Sequence, residues 1–406
     1  MGGTVIFGAL TMRRSRGPES RLRVLHVTHE LSLTGAPRLA LEVFRALSDT
    51  IQLQTLSGSG GGLESAFGGL GPVRILNQLP WRLDHWRHPA QPLLAKGFGR
   101  LRAPAIGMLA QRWQPDVVYV NSVAAITLVP RLGLRGRPTL LHVHELGAAL
   151  DRLSGAHRGL LATLPHRYVA VSNAVADELV LRRGIPRDRV SVVPPLIDLS
   201  RIDEMAGGAG TSDTDADSAM PFLVGGAGNP HWTKGIEHWL LMARALVDRM
   251  GQDAVQFEWV GVRENNAAVE FHEMIRKLDL QSNVRLIPET ANPYAYFRRF
   301  DVFAMTSWEE SASLAVLENM ALEVPVVCFG RSGGPPEQVG DTGVVIERFS
   351  PWDMADSIAL LLADPDRRAG IGARERARVA VVNAPGRIAG LLSGDFVAIA
   401  PRGISH

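Results

Sequence analysis

The sequence predicts an α/β protein of two domains, each built on a parallel sheet. Three observations carry this. Short, β-branched apolar runs alternate with helical-period segments almost from end to end. The alternation breaks once, at residues 203–219, and then restarts with the same rhythm. Strands covered on both faces read as unbroken apolar runs, and the amphipathic segments between them supply the crossovers that parallel pairing needs.

In chain order, residues 1–20 place an apolar stretch ahead of a basic cluster, the reverse of a secretory leader, and are expected to be a disordered tail. An N-terminal domain is expected over 21–202. Its strand candidates are 23–29, 52–56, 73–76, 116–122, 139–145, 167–172 and 189–194, with helical patterns such as 35–48 and 173–184 between them. Residues 203–219 are rich in Gly, Ser, Thr and Asp with little to bury, which is linker composition. A second domain is expected over 220–380, with strands at 221–227, 255–262, 284–289, 301–307, 325–330 and 343–347 and helices such as 235–250 and 268–280. Residues 381–406 are expected to form a helical segment and tail. Open parallel sheets bind ligands beyond the carboxyl ends of their strands, so two facing sheets predict a ligand cleft between domains.

Composition narrows the function. The 406 residues carry 43 basic and 41 acidic side chains, a formal net charge of +2. That argues against a protein held to nucleic acid by bulk charge. One cysteine, Cys328, excludes an intrachain disulfide and a cysteine-rich metal site. Only Lys96, Lys234 and Lys277 are lysines, so 40 of the basic residues are arginines and each lysine stands out. No run reaches the ~18 apolar residues of a spanning helix. The chain is therefore expected to be cytoplasmic, with room for peripheral contact at the inner face of the membrane.

Two segments carry chemistry. In 306–341, an apolar strand ends in a polar loop at Trp308, and a helix starts near Ser313 and runs through Leu314 to Glu318. Loop amides and a helix N-terminus make an anion site. Glu318, in the second turn, can accept two ribose hydroxyls, and Glu310, in the loop, can face a sugar. After the strand Pro325-Val326-Val327, Gly333-Gly334-Pro335-Pro336-Glu337 reads as a glycine turn into a helix with proline near its start. In 224–235, a strand leads into a glycine-rich turn and then Lys234. Glycine lets backbone approach a phosphate, and lysine supplies a point charge.

Together these segments resemble the retaining glycosyltransferases of family 4, which have the GT-B fold of two Rossmann-like domains. The resemblance rests on Glu310 and Glu318 in the family's E-x7-E spacing, the P-V-V strand and the G-G-x-x-E turn. It covers about residues 22–380 and is weaker in the N-terminal half. Gly228 and Lys234-Gly235 match the family's G-R-x4-K-G, but Asn229 stands at the arginine position. In the N-terminal half, Gly35 resembles the first-loop glycine that meets the donor's diphosphate. His144, in the strand-end His142-Val143-His144-Glu145, resembles a histidine near donor sugar and acceptor.

The resemblance implies transfer from a nucleotide diphosphate sugar, with retention, to a glycan, lipid-linked or small-molecule acceptor, as in polysaccharide biosynthesis. No metal or other cofactor and no nucleic acid is implied. His144, Lys234 and Glu310 are expected to be catalytic. Gly35, Gly228, Asn229, Lys234, Glu310, Ser313, Leu314 and Glu318 are expected to bind the donor. Domain closure about 203–219 would exclude water. Asn229, and Ala312-Ser313 where the family commonly has a bulky residue and Gly or Pro, leave open a binding protein without catalysis. A sugar-nucleotide epimerase or a phosphorylase on the same fold lacks distinguishing residues.

Other signals are weaker. Asp213, Asp215 and Asp217 fall in the linker, and a calcium loop would want Gly and Glu where Ser218 and Val224 stand. His26, His29, His142 and His144 lie near strand ends without a third zinc ligand at proper spacing. The loop 81–89, with two tryptophans and two arginines, suits an acceptor sugar or plain packing. Residues 58–62 lack the dinucleotide-binding spacing.

Overall fold

The computed structural model describes residues 21–77, 91–207, 221–263 and 266–401. The loop 81–89 and the aspartates at 213–217 lie outside them.

The first sheet contains β1 (Leu22–Thr28), β2 (Ile51–Ser57), β3 (Val73–Ile75), β4 (Val117–Asn121), β5 (Thr139–Val143), β6 (Arg167–Ala170) and β7 (Val190–Val192). The second contains β8 (Phe222–Ala227), β9 (Val255–Val262), β10 (Val284–Pro288), β11 (Val302–Met305), β12 (Val326–Phe329) and β13 (Val344–Ile346). All 13 expected strands form. Their orders are β3-β2-β1-β4-β5-β6-β7 and β10-β9-β8-β11-β12-β13, and the pairings are parallel. This is the GT-B arrangement of two facing Rossmann-like domains. β4 and β5 are buried at every residue, as their unbroken apolar runs require.

The topology decides where a ligand can sit. Each sheet reverses its winding once, between β1 and β4 and between β8 and β11. A crevice opens there beyond the strand ends, because the flanking crossovers depart to opposite faces. The loops that follow β1, β8 and β11 are those that carry Gly35, the Gly228–Lys234 turn and the Glu310–Ser313 turn.

The domain boundaries differ from the sequence reading in two places. Residues 203–207, read as linker, continue a helix, Leu199–Gly207. Its Ile202 and Ala206 are buried in the same cluster as Tyr294, Phe297 and Phe300, so this helix belongs to the C-terminal core. The final helix, Pro385–Ile399, buries Ile388, Leu392 and Phe396 in the core of the N-terminal domain. Asp395 on that helix pairs with Arg167 at 2.5 Å and accepts from Ser191 at 2.6 Å.

The chain therefore crosses between domains twice. The crossings lie side by side, with Ile197 N–H donating to the Asn383 carbonyl at 2.9 Å and Asn383 Nδ2 to the Pro195 carbonyl at 2.7 Å. These paired crossings are where the two domains join, and part of 203–219 belongs to the C-terminal core.

Candidate active site

A cavity of about 410 Å³ lies between the two domains. Its walls include Gly35, Gly228, Asn229, Lys234, Glu310, Ser313, Leu314 and Glu318. Every residue expected to bind a donor thus reaches one space, although these residues span 284 positions from first to last.

Two helix N-termini converge on it. One is the helix Gly35–Ala46, whose N-cap Thr34 gives no side-chain cap and whose first turn holds no acid. Its first amides and dipole therefore remain available to an anion. The other is the helix Leu314–Ala321, where Ser313 Oγ accepts from Val316 N–H at 3.2 Å and satisfies one of the orphan amides.

Lys234 is placed by its neighbour. Gly235 has φ +60°, and a Cβ there would come 2.0 Å from the Thr306 carbonyl oxygen. Only glycine lets the β8 turn press this closely on the end of β11. The Thr306 hydroxyl donates to the Lys234 carbonyl at 3.2 Å, and Trp308 N–H donates to the Thr233 carbonyl at 2.8 Å. Lys234 Nζ forms an ion pair with Glu310 Oε2 inside the cavity wall. Glu310 is fixed in turn by its backbone, whose N–H donates to the Ser332 carbonyl and whose carbonyl accepts from Gly334 N–H, both at 2.8 Å. The glycine turn after β12 thus buttresses the loop after β11.

Glu318 is buried and spans the domains. Its Oε1 accepts from Arg38 Nη2 at 2.8 Å and from the Tyr294 hydroxyl at 3.1 Å. The Glu318 carboxylate is the leading cause that raises the Arg38 pKa. Arg263, also in the wall, is held by both oxygens of Glu289, at 2.8 and 2.5 Å. Arg38, Arg263, Glu289, Thr290, Ala291 and Pro293 were not singled out in the sequence. Arg38 carried one usable signal, its place in the first turn after Gly35. Arg263 directly follows β9, and Glu289, Thr290, Ala291 and Pro293 lie on the loop after β10; neither place has a motif.

His144 is placed differently. It is not among the residues that line the cavity. It directly follows β5, where Nε2–H donates to Asn121 Oδ1 at 2.8 Å and the ring lies 4.3 Å from that of His142. Burial, with His29 nearby, pushes its pKa down to about 3, so it is neutral at physiological pH. With Nε2 protonated, Nδ1 is the basic nitrogen. His142 is also buried, with Nδ1 at 2.5 Å from the Tyr119 hydroxyl.

Acidic residues of the C-terminal half clasp helix starts in the N-terminal half. Glu309 accepts from Ala148 N–H through both oxygens, at 3.1 and 3.2 Å. Glu337, the last residue of the G-G-x-x-E turn, accepts from Asn173 N–H at 2.8 Å and Ala174 N–H at 2.6 Å. Carboxylates complement the positive ends of these helices. The role of Glu337 is thus visible as a domain contact, outside the cavity.

Comparison with known proteins agrees with this geometry. Residues 219–378 match the family described as "Glycosyl transferases group 1", and residues 33–201 match that described as "Glycosyltransferase Family 4". Among curated proteins, the D-inositol 3-phosphate glycosyltransferase of Pseudarthrobacter chlorophenolicus is 28% identical over 210 residues, covering 51% of this chain and 50% of that protein. The protein of that name from Xylanimonas cellulosilytica is 28% identical over 279 residues, covering 66% and 63%. The chain spans about half the length of the first of these relatives.

Among solved structures, Anabaena HepE in complex with UDP and glucose superposes with a TM-score of 0.74 at 17% identity, over 93% of this chain and 100% of that one. Sucrose-phosphate synthase from Thermosynechococcus elongatus gives 0.71 at 16% identity, over 93% and 100%. At these identities the structural likenesses establish the fold.

Proposed function

The chain belongs to the family 4 glycosyltransferases, each of its halves matching one of the family's two domains, and we propose that it moves a sugar from a nucleotide diphosphate sugar to an acceptor with retention of configuration. The observation that carries this reading is the single cavity, where Lys234, two helix N-termini and the carboxylates of Glu310 and Glu318 meet. Three cations, Arg38, Lys234 and Arg263, line it with three carboxylates, Glu289, Glu310 and Glu318. Each cation is paired. A diphosphate can take over cationic partners while sugar hydroxyls take over the carboxylates.

In the proposed reaction, the bond from the sugar's anomeric carbon to the diphosphate oxygen breaks, and the acceptor oxygen bonds to that carbon on the same face. The acceptor's proton passes to the departing diphosphate. Lys234 and the helix amides stabilise the charge that develops on that leaving group. Glu318 holds the ribose and Glu310 the sugar hydroxyls. His144 lies outside the cavity wall, neutral and bonded to Asn121, so it takes no direct part in this step. In this reading, closure of the domains about the paired crossings excludes water, the competing acceptor.

The structural relative HepE was solved with UDP, so UDP leads the test. A thermal-shift panel of UDP, GDP and ADP tests donor binding. One of them, at 100 times its Kd, should stabilise the protein by about 2.7 kcal/mol, and no shift with any of the three defeats the proposal. Slow release of nucleoside diphosphate from the cognate sugar donor then identifies an enzyme. Donor binding with no release and no transfer identifies the alternative, a binding protein without catalysis.

No helix among the described residues is long and apolar enough to cross a membrane. We also propose peripheral contact with an anionic bilayer, for a local reason that the near-neutral net charge conceals. Residues 91–144 hold seven Lys or Arg and one acid, the buried Asp116. On the helix Gln91–Trp113, Leu101 is 79% and Met108 56% exposed beside Arg100, Arg102 and Arg112. Each basic residue near an anionic leaflet contributes roughly 1 kcal/mol. Co-sedimentation with phosphatidylglycerol vesicles is expected at low salt and is lost in about 0.5 M salt as screening shortens. Failure to sediment at low salt removes the idea.

A further inference from the structure

Asn229 brings no charge to the position where the family places an arginine, and the cavity carries a substitute from the opposite domain. We propose that Arg38 supplies the second cation for the donor's diphosphate, and that Glu318 holds Arg38 in reserve until a ribose takes that carboxylate. This rests on the donor-binding reading above.

Glu318 is 4% exposed, and a carboxylate so buried needs a partner in any state the protein populates. Without ligand that partner is Arg38 Nη2 at 2.8 Å, helped by the Tyr294 hydroxyl at 3.1 Å. Both bonds fall on the same oxygen, Oε1. A ribose that presents two hydroxyls to Glu318 competes for it. Arg38 then loses its partner but stays inside the same cavity as Gly228, Asn229 and Lys234.

Arg38 is free to turn because its contacts with Glu318 and Tyr294 both use Nη2, so one hinge motion of the guanidinium releases it. It also projects from the first turn of the helix Gly35–Ala46, whose positive end faces the cavity. Arg263, the other arginine in the wall, is a poorer candidate. Its planar fork is matched by both oxygens of Glu289, a bidentate pair that a phosphate would have to break entirely.

The exchange makes a prediction of opposite sign for two ligands. Uridine carries the ribose but no phosphate, so for it Arg38 is only a competitor for Glu318. UDP carries both groups, so for it Arg38 is a competitor that becomes a partner.

Titration calorimetry with UDP and uridine on the full chain tests this, with GDP and guanosine, or ADP and adenosine, substituted if the panel selects them. Arg38→Met, which keeps the apolar stem, should weaken UDP by about 10- to 100-fold, the range for hydrogen bonds to a charged group. Uridine affinity should hold or rise. Adding Asn229→Arg to Arg38→Met should return UDP affinity to within a few-fold of wild type, since either arginine fills the one charge vacancy. Equal loss for UDP and uridine would mean that Arg38 only positions Glu318, and would overturn the proposal. So would failure of Asn229→Arg to rescue, or rescue of Arg263→Met instead. If the wild type binds none of the three nucleoside diphosphates, the donor-binding reading itself falls, and this assignment with it.

Discussion

Lys234→Ala should lower the rate constant of sugar transfer by about 10²- to 10³-fold, the cost of removing one preorganised charge-stabilising group from a leaving-group site. The structure shows why no neighbour substitutes. Lys234 is held in the cavity wall by a turn that Gly235 alone can make, with its carbonyl tied to Thr306. Its ammonium already lies against Glu310, so it is aimed before any donor arrives. Removal leaves the Glu310 carboxylate without its cation. That group is about one-seventh exposed toward the cavity, at 14%, so water can reach it and the fold should lose only about 1–2 kcal/mol. The expected signature is therefore a collapsed rate with a melting temperature lowered by a few degrees at most. The measurement is single-turnover transfer alongside a melting curve. A variant that keeps more than about a tenth of the wild-type rate constant would refute the role of Lys234.

Phe396→Ala should destabilise the protein by about 3–5 kcal/mol, the usual cost of emptying a buried phenylalanine site. Nothing in the neighbouring sequence singles this residue out. It lies on the last helix, beyond all motifs, yet it is fully buried and meets the edge of Tyr119 at a centroid distance of 6.0 Å. Tyr119 sits in β4, at the middle of the N-terminal sheet, and bonds His142 through its hydroxyl. The final helix therefore completes the core of the domain at the opposite end of the chain. Urea denaturation should show the loss chiefly in the unfolding of the N-terminal domain. A change below about 1 kcal/mol would mean that the helix merely rests on that core.

The strands were legible because their cause is local. A segment buried on both faces must be apolar throughout, and that constraint is written in consecutive residues such as Val117–Val120. The turns that carry Lys234 and Glu310 were legible for a related reason. Glycine at φ +60° and a serine cap on a helix start are demands that only a few residue types meet. Gly333 and Glu337 illustrate the limit. Their turn was readable, but not that Gly333 follows the residue bracing Glu310, or that Glu337 reaches the helix start at Asn173. The domain boundary fell elsewhere than composition suggested because polar composition reports what a segment fails to bury, whereas a boundary depends on which core each flank joins.

The sequence by itself determined two parallel-sheet domains, the strand ends that face the cleft, and the eight residues that meet in one cavity. Tertiary structure alone decided the partners: Arg38 with Glu318 across 280 residues, the last helix with the first domain, and His144 with Asn121 outside the cavity wall. The physical reason is range. Backbone preference and burial pattern act over a few residues, while ion pairing and packing depend on distances that exist only once both sheets have formed and faced each other.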